Sequence, residues 1–207
     1  MAEARFAAPV PGNVLGYMIA GGRATRMGGV NKAAVLFNGT PMGALVVRAL
    51  SGQCGTVWVS ANRDQAFFLS LGAARVLPDR LGESAGPLAA LEALDGELPG
   101  EFEWVLTAPC DVPCLPADML SFFATQFSQT PAPLLTVRAG GHSHNTIALI
   151  HRSVLGTIRA RLLAGDRKVG IWMQSQGMVA ADWPGDPEVF CNVNDPGELK
   201  KLEGASH

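Results

Sequence analysis

Residues 19–32 run Ile-Ala-Gly-Gly-Arg-Ala-Thr-Arg-Met-Gly-Gly-Val-Asn-Lys and directly follow the apolar stretch 14–18. Paired glycines, two arginines and a lysine in one loop after a buried strand suit a polyphosphate. Gly21 and Gly22 let backbone N–H groups approach an anion closely, with no Cβ in the way. Arg26 offers phosphate oxygens a planar fork of donors and Lys32 a point charge. No Ser or Thr follows the lysine and the glycine spacing is wrong, so this is not a Walker A loop. Nor is it the G-x-G-x-x-G of a dinucleotide-binding turn. The pattern reads as a loop for nucleotidyl transfer, the alternative being an ordinary turn in a chain with 24 glycines.

Other segments carry matching chemistry. Asp111 stands between Pro109 and Pro113, just past an apolar run. A carboxylate at a strand end is suited to anchor Mg²⁺ on phosphate oxygens, and opposite a polyphosphate loop that reading outranks an Asx turn. Asp79 after Pro78 is either a turn former or a nucleotide contact. Gly86 and Pro87 open a helix whose N–H groups face an anion, a base edge or only solvent. Ser60-Ala-Asn-Arg63 ends another strand, with Asn62 and Arg63 as ribose or phosphate contacts or Asn62 as a helix cap. Asn192 and Asn194 share one face of an extended segment, suited to a heterocycle, although Asn194 or Asp195 also serves as an N-cap. His142 and His144 lack a third metal ligand and read as a polar surface loop. Cys110 and Cys114 have no partner pair for zinc, so all four cysteines read as reduced thiols.

Strand-like and helix-like segments must position these groups. Strands are expected at 14–20, 56–61, 74–77, 104–108, 134–137, 146–150 and 178–182. Helices are expected at 41–51, 64–71, 86–98, 116–127, 153–163, 167–176 and from 196 onward. This alternation predicts an α/β fold with a mainly parallel sheet, and ligands in such sheets collect outside the carboxyl ends of the strands. The first loop, Asp79 and Asp111 all fall there. Residues 1–12 read as a loose leader without a signal-peptide core, and 13–207 as a single domain. The chain has 207 residues, 48% hydrophobic and 16% charged, with a net charge of −2. That excludes a disordered chain and gives no electrostatic footprint for nucleic acid. The apolar runs are too short to span a bilayer, so no membrane partner and a cytoplasmic location are expected.

Nearly the whole chain resembles the molybdenum cofactor guanylyltransferases. The resemblance rests on residues 20–29 with Lys32, Ala61-Asn-Arg63, Gly86-Pro-Leu-Ala89, Pro109-Cys-Asp-Val-Pro113, Thr146-Ile-Ala-Leu149 and Asn192-Val-Asn194. It implies a Rossmann-like, three-layer nucleotidyltransferase fold that binds GTP with Mg²⁺ and transfers GMP to the terminal phosphate of molybdenum-loaded molybdopterin, releasing pyrophosphate. Lys32, Arg26 and Asp111 would be catalytic, with Asp111 on the metal. Ile19, Ala20, Gly21, Gly22, Lys32, Ser60, Asp79, Gly86, Pro87 and Asp111 would line the nucleotide. Arg167, Lys168, Asn192 and Asn194 would face the pterin. Molybdopterin-loading proteins and apo-molybdoenzymes are the further partners implied. Two positions depart from the family pattern: Asn31 stands where Asp is usual, and Ser60 where Asn is frequent. Cytidylyl-transferring relatives share the fold and read Asn-Lys at the first position, so CTP is the alternative nucleotide. A different nucleotidyltransferase, or a non-catalytic protein that binds nucleotide and delivers cofactor, completes the rivals.

Overall fold

In the first strand, β1 (Val14–Ile19), every residue is buried because side chains alternate between two covered faces. Val14 and Met18 point into one apolar layer; Leu15, Tyr17 and Ile19 point into the other. Such a strand has no solvent face, and a strand buried on both sides belongs at the centre of a parallel sheet. A computed structural model of the protein describes residues 6–21, 31–81 and 86–205. Within these residues, β1 is flanked on both sides by parallel partners.

The other strands are β2 (Leu36–Phe37), β3 (Thr40–Pro41), β4 (Thr56–Ser60), β5 (Arg75–Leu77), β6 (Trp104–Pro109), β7 (Leu134–Ala139), β8 (His142–His151) and β9 (Val179–Asp182). Seven of them form one sheet in the order β5-β4-β1-β6-β8-β7-β9. Only β8 runs against its neighbours. Helices α1 (Met42–Ser51) and α4 (Met119–Gln129) cover one face through Val46, Leu50, Phe123 and Phe127. Helix α3 (Pro87–Leu94), α5 (Ile158–Leu163) and α6 (Val169–Ser175) cover the other through Leu88, Leu91, Ile158 and Trp172. The short α2 (Gln65–Ser70) follows β4 and packs by Phe68. Terminal α7 (Pro196–Ala205) closes a small third cluster with Phe37, Met42 and Val193. The architecture is the expected three-layer α/β arrangement.

Several boundaries differ from the sequence expectations. The strand expected at 146–150 begins at His142, so the stretch 138–145 is a hairpin rather than a loop. Its turn is Gly140-Gly141 with φ of 56° and 80°, the left-handed pair that a two-residue hairpin requires. The helix expected at 153–163 is α-helical only from Ile158, after a 3-10 stretch at Arg152–Thr157. The helix expected at 86–98 stops at Leu94, because Asp95 is extended and Gly96 has φ 81°. That expected at 116–127 starts later, at Met119. The hairpin β2–β3, turned by Asn38-Gly39, lies outside the sequence expectations although Asn-Gly is its ordinary signal. Residues 6–13 lie along the sheet margin, with the Trp104 indole N–H donating to the Ala7 carbonyl at 2.9 Å and the Phe6 ring 4.7 Å from that of His151. No helix among the described residues is long and apolar enough to cross a membrane.

Candidate active site

The carboxyl ends of four strands are in register. Ile19 lies opposite Ser60 on one side and Pro109 on the other, and Ser60 lies opposite Leu77. The ladder continues one residue further: Ala20 N–H donates to the Ser60 carbonyl (2.9 Å), Ala61 N–H to Leu77 (3.0 Å) and Cys110 N–H to Ile19 (3.1 Å). Four loops therefore leave the sheet side by side. After β1 the chain turns to β4 on one flank, and β6 lies on the other, so this edge is the crevice where ligands of open α/β sheets bind.

Lys32 enters the crevice from a short 3-10 turn, Lys32–Ala34. Asn31 caps this turn, its Oδ1 accepting from Ala33 N–H at 3.0 Å. The Lys32 ammonium donates to Asp111 Oδ2 at 3.0 Å and to Asn194 Oδ1 at 2.8 Å. Three residues far apart in sequence thus meet on one charge. The side chains of Lys32 and Asp111 remain 19% and 14% exposed, so the pair is sheltered yet reachable by a ligand. Asp111 Oδ1 carries no hydrogen bond among the described residues. The C-terminal segment is bound to the same spot by its backbone, Val193 N–H donating to the Asp111 carbonyl at 2.9 Å. Asn194 N–H in turn donates to Glu198 Oε2 at 2.6 Å, which fixes the entry to α7.

Helix α1 supports the Lys32 turn at Gly43. A Cβ placed on Gly43 would come within 2.8 Å of Ala33 Cβ and 3.1 Å of the Ala33 carbonyl. Neither neighbour has a flexible end that can swing aside. We expect Gly43→Ala to push the turn away from α1 at a cost of about 1–3 kcal/mol. The nucleotide KM should rise about tenfold, because a shift below 1 Å already spoils positioning. Steady-state kinetics beside a thermal melt would check both figures.

Asp79 is held by reciprocal bonds. Asn62 Nδ2 donates to Asp79 Oδ2 at 2.9 Å, and Asp79 N–H donates to Asn62 Oδ1 at 2.8 Å. The side chain of Asn62 is turned to Asp79, and the N-cap position of α2 is Asp64, which corrects the expectation of an Asn62 cap. A methyl group built on Gly21 would lie 3.9 Å from Asp79 Oδ2 and 4.0 Å from Ser60 Oγ, so these three residues border one space. Arg80 follows and bonds the fully buried Glu92 at 3.1 Å, and Glu92 also takes Arg159 at 2.9 Å. Breaking a buried charge cluster is costly, so it ties the segment after Asp79 firmly to α3 and α5. Sequence reasoning missed Glu92, whose only signal was a carboxylate on an otherwise apolar helix.

The remaining expected residues are distributed as follows. Gly86 and Pro87 begin α3, which starts beyond the Asp79 segment. Gly22 and Arg26 lie outside the described residues. Asn192 lines a cleft of about 170 Å³ with Glu188, Cys191, Glu198 and Lys201, whereas Asn194 turns to Lys32. Arg167 and Lys168 are exposed at the entry to α6, and no contact among the described residues joins them to the Lys32–Asp111 pair. All four cysteines are free thiols. Burial pushes the Cys110 thiol, next to Asp111, up to about 12, so it stays neutral beside the charges of the site. His142 and His144 belong to β8 rather than to a loop, and the His144 ring packs 5.2 Å from Phe190. Desolvation lowers the His144 pKa. His151 pairs with Trp104, the first residue of β6, at the opposite edge of the sheet.

Known proteins resemble this chain in sequence and in fold. The molybdenum cofactor guanylyltransferase of Burkholderia vietnamiensis is 38% identical over 94% of this chain and 98% of its own length. That of Acidovorax ebreus is 35% identical over 94% and 97%. Among solved structures, molybdopterin-guanine dinucleotide biosynthesis protein A from Archaeoglobus fulgidus superposes with a TM-score of 0.73 at 19% identity, covering 93% of this chain and 98% of that one. A CMP:2-keto-3-deoxy-manno-octonic acid synthetase bound to CTP shares the fold at a TM-score of 0.68 and 14% identity, covering 93% and 98%. Residues 16–179 match the MobA-like NTP transferase domain, and with it the chain belongs to that family of nucleotidyltransferases.

Proposed function

We propose that this enzyme transfers GMP from GTP to the terminal phosphate of molybdenum-loaded molybdopterin, forming the guanine dinucleotide cofactor and pyrophosphate. The observation that carries this reading is the meeting of Lys32, Asp111 and Asn194 at the crevice of a MobA-like sheet. The names of the full-length relatives supply the acceptor and the base. Residues 13–207 act as one domain in this reading, which works in the cytoplasm. Molybdopterin-loading proteins and apo-molybdoenzymes would supply the acceptor and take the product.

Lys32 neutralises the β- and γ-phosphates, and Arg26 joins it from the glycine-rich loop. Ile19, Ala20 and Gly21 would contact the triphosphate, Gly22 being assigned there by the family resemblance alone, and Ser60, Asp79, Gly86 and Pro87 would border the nucleoside. Asn192 and Asn194 face the pterin, with Arg167 and Lys168 attracting the anionic cofactor. In the free protein the Lys32 charge is already balanced by Asp111, so an incoming triphosphate trades one anion for another. Asp111 is a single carboxylate with one oxygen unengaged among the described residues. No cluster of three or more His, Cys, Asp or Glu side chains suited to a metal occurs among them. That donor set fits Mg²⁺, which binds through one or two carboxylates and completes its shell with phosphate oxygens and water. When bound, the ion would neutralise charge as pyrophosphate leaves. The acceptor phosphate is itself an anionic nucleophile for the α-phosphorus, so the protein needs to supply alignment and positive charge rather than a general base.

The test is pyrophosphate release by the purified protein with Mg²⁺ and molybdenum-loaded molybdopterin, with GTP and CTP offered separately. Release with GTP alone is expected. Release with CTP alone would reassign the product to the cytidine form. Nucleotide binding without release under either condition would favour a delivery protein.

A further inference from the structure

We infer that Asn31 and Asp64 form a latch that positions Lys32 for the nucleotide, and that Asn31 takes no part in choosing the base. The inference rests on the nucleotide-binding reading above.

The side chain of Asn31 is used at both ends. Its Oδ1 caps the Lys32 turn through Ala33 N–H, and its Nδ2 donates to Asp64 Oδ2 at 3.0 Å. Both amide atoms are therefore engaged within the protein, which holds the side chain turned towards Ala33 and Asp64. Asp64 shows the same division of labour. It occupies the N-cap position of α2, where an aspartate ordinarily turns its carboxylate onto its own helix N–H groups. Here the side chain makes no cap bond, and the residue sits in the left-handed region at φ 55° and ψ 35°. A non-glycine residue held there costs on the order of 1 kcal/mol and needs its surroundings to hold it. The carboxylate gives up its cap and reaches across to the turn that carries Lys32.

Two residues earlier in the same segment, Asn62 grips Asp79. The stretch from Ala61 to Asp64 is thus a brace between the two flanks of the crevice: Asn62 holds the Asp79 side and Asp64 the Lys32 side. The amide at position 31 suits this arrangement, donating to Asp64 while accepting from Ala33 N–H. An aspartate there would set two carboxylates against each other at hydrogen-bond distance, and at least one of them would have to turn away. Asn at 31 is the partner that Asp64 demands.

The experiment is an exchange cycle: Asn31→Asp, Asp64→Asn and the double variant, each measured for GTP and CTP affinity, KM, kcat and Tm. Asn31→Asp should weaken GTP binding about tenfold, the scale of one charge-assisted bond turned into a repulsion. Asp64→Asn should weaken it about threefold. The double variant restores the bond with donor and acceptor reversed, so its affinity should return to within about twofold of the unmodified protein. Because the pair is exposed, Tm should move by no more than a degree or two in any variant. The ratio of GTP to CTP affinity should stay constant throughout.

A double variant no better than Asn31→Asp would overturn the latch. A changed GTP to CTP ratio on Asn31→Asp would make Asn31 a selectivity residue and overturn it as well. Losses of affinity that track losses of Tm would reduce the pair to a fold contact. An unmodified protein that binds neither nucleotide would remove the functional reading, and the positioning role with it. That failure is read from the unmodified control alone and is distinct from a failed rescue.

Discussion

Lys32→Ala should abolish turnover, lowering kcat/KM by a factor of about 10³ or more. The lysine is the cation that the described crevice presents next to the Asp111 carboxylate, 3.0 Å away. Its removal subtracts positive charge where charge separates as pyrophosphate leaves. It also leaves Asp111 facing the triphosphate as an unbalanced anion, which penalises binding as well as reaction. Both kcat and KM should therefore worsen. The fold should survive, because the pair keeps some solvent contact and its loss costs roughly 1–2 kcal/mol, between the surface and the buried limits. Lys32→Arg should recover little, since a planar fork does not reproduce a compact ammonium shared between Asp111 and Asn194. Single-turnover kinetics beside circular dichroism melts would check this. A Lys32→Ala protein within about tenfold of normal activity would remove Lys32 from the reaction.

Asp111→Asn should be nearly as damaging to kcat, by a factor of about 10³, but with a different signature. The amide keeps the volume of the side chain and can still accept from Lys32, so Tm should hardly change. The negative charge is gone, and Lys32 is left with an unbalanced positive charge. In the absence of divalent metal, GTP should then bind at least as tightly as to the unmodified protein. The gain in affinity that Mg²⁺ gives the unmodified protein should disappear. Titration of GTP with and without Mg²⁺ for both proteins separates these effects. Turnover retained within about threefold in Asp111→Asn, with its Mg²⁺ dependence intact, would sink the metal assignment.

Much of the scaffold was legible because its signals are local. The double-sided apolar run of β1 announces a central strand, and a glycine-rich, basic loop at its end announces an anion. Asp79 and Asp111 could be assigned to the carboxyl edge of the sheet from strand ends alone, since a parallel sheet gathers its carboxyl termini there. Element boundaries were less legible. β8 hid its first four residues because His142, Ser143, His144 and Asn145 have no apolar alternation, and pairing with β7 makes them a strand. The 3-10 start at Arg152–Thr157 was likewise invisible to a helical hydrophobic pattern.

The amino-acid sequence by itself determined which chemical groups the protein owns and which sheet edge receives them, because strand periodicity and loop composition are written in consecutive residues. Only the tertiary structure decided which of those groups touch. Lys32 and Asn194 lie 162 positions apart and meet at 2.8 Å. Asn62 was open to ribose, phosphate or a helix cap, and folding committed it to Asp79. Asn192 and Asn194 share an extended segment, yet one lines a cleft beside α7 and the other turns to Lys32. A hydrogen bond needs its two atoms within a few tenths of an ångström of the right separation. Distances that fine between remote segments are set by how helices pack on the sheet, and no local pattern of residue types encodes them.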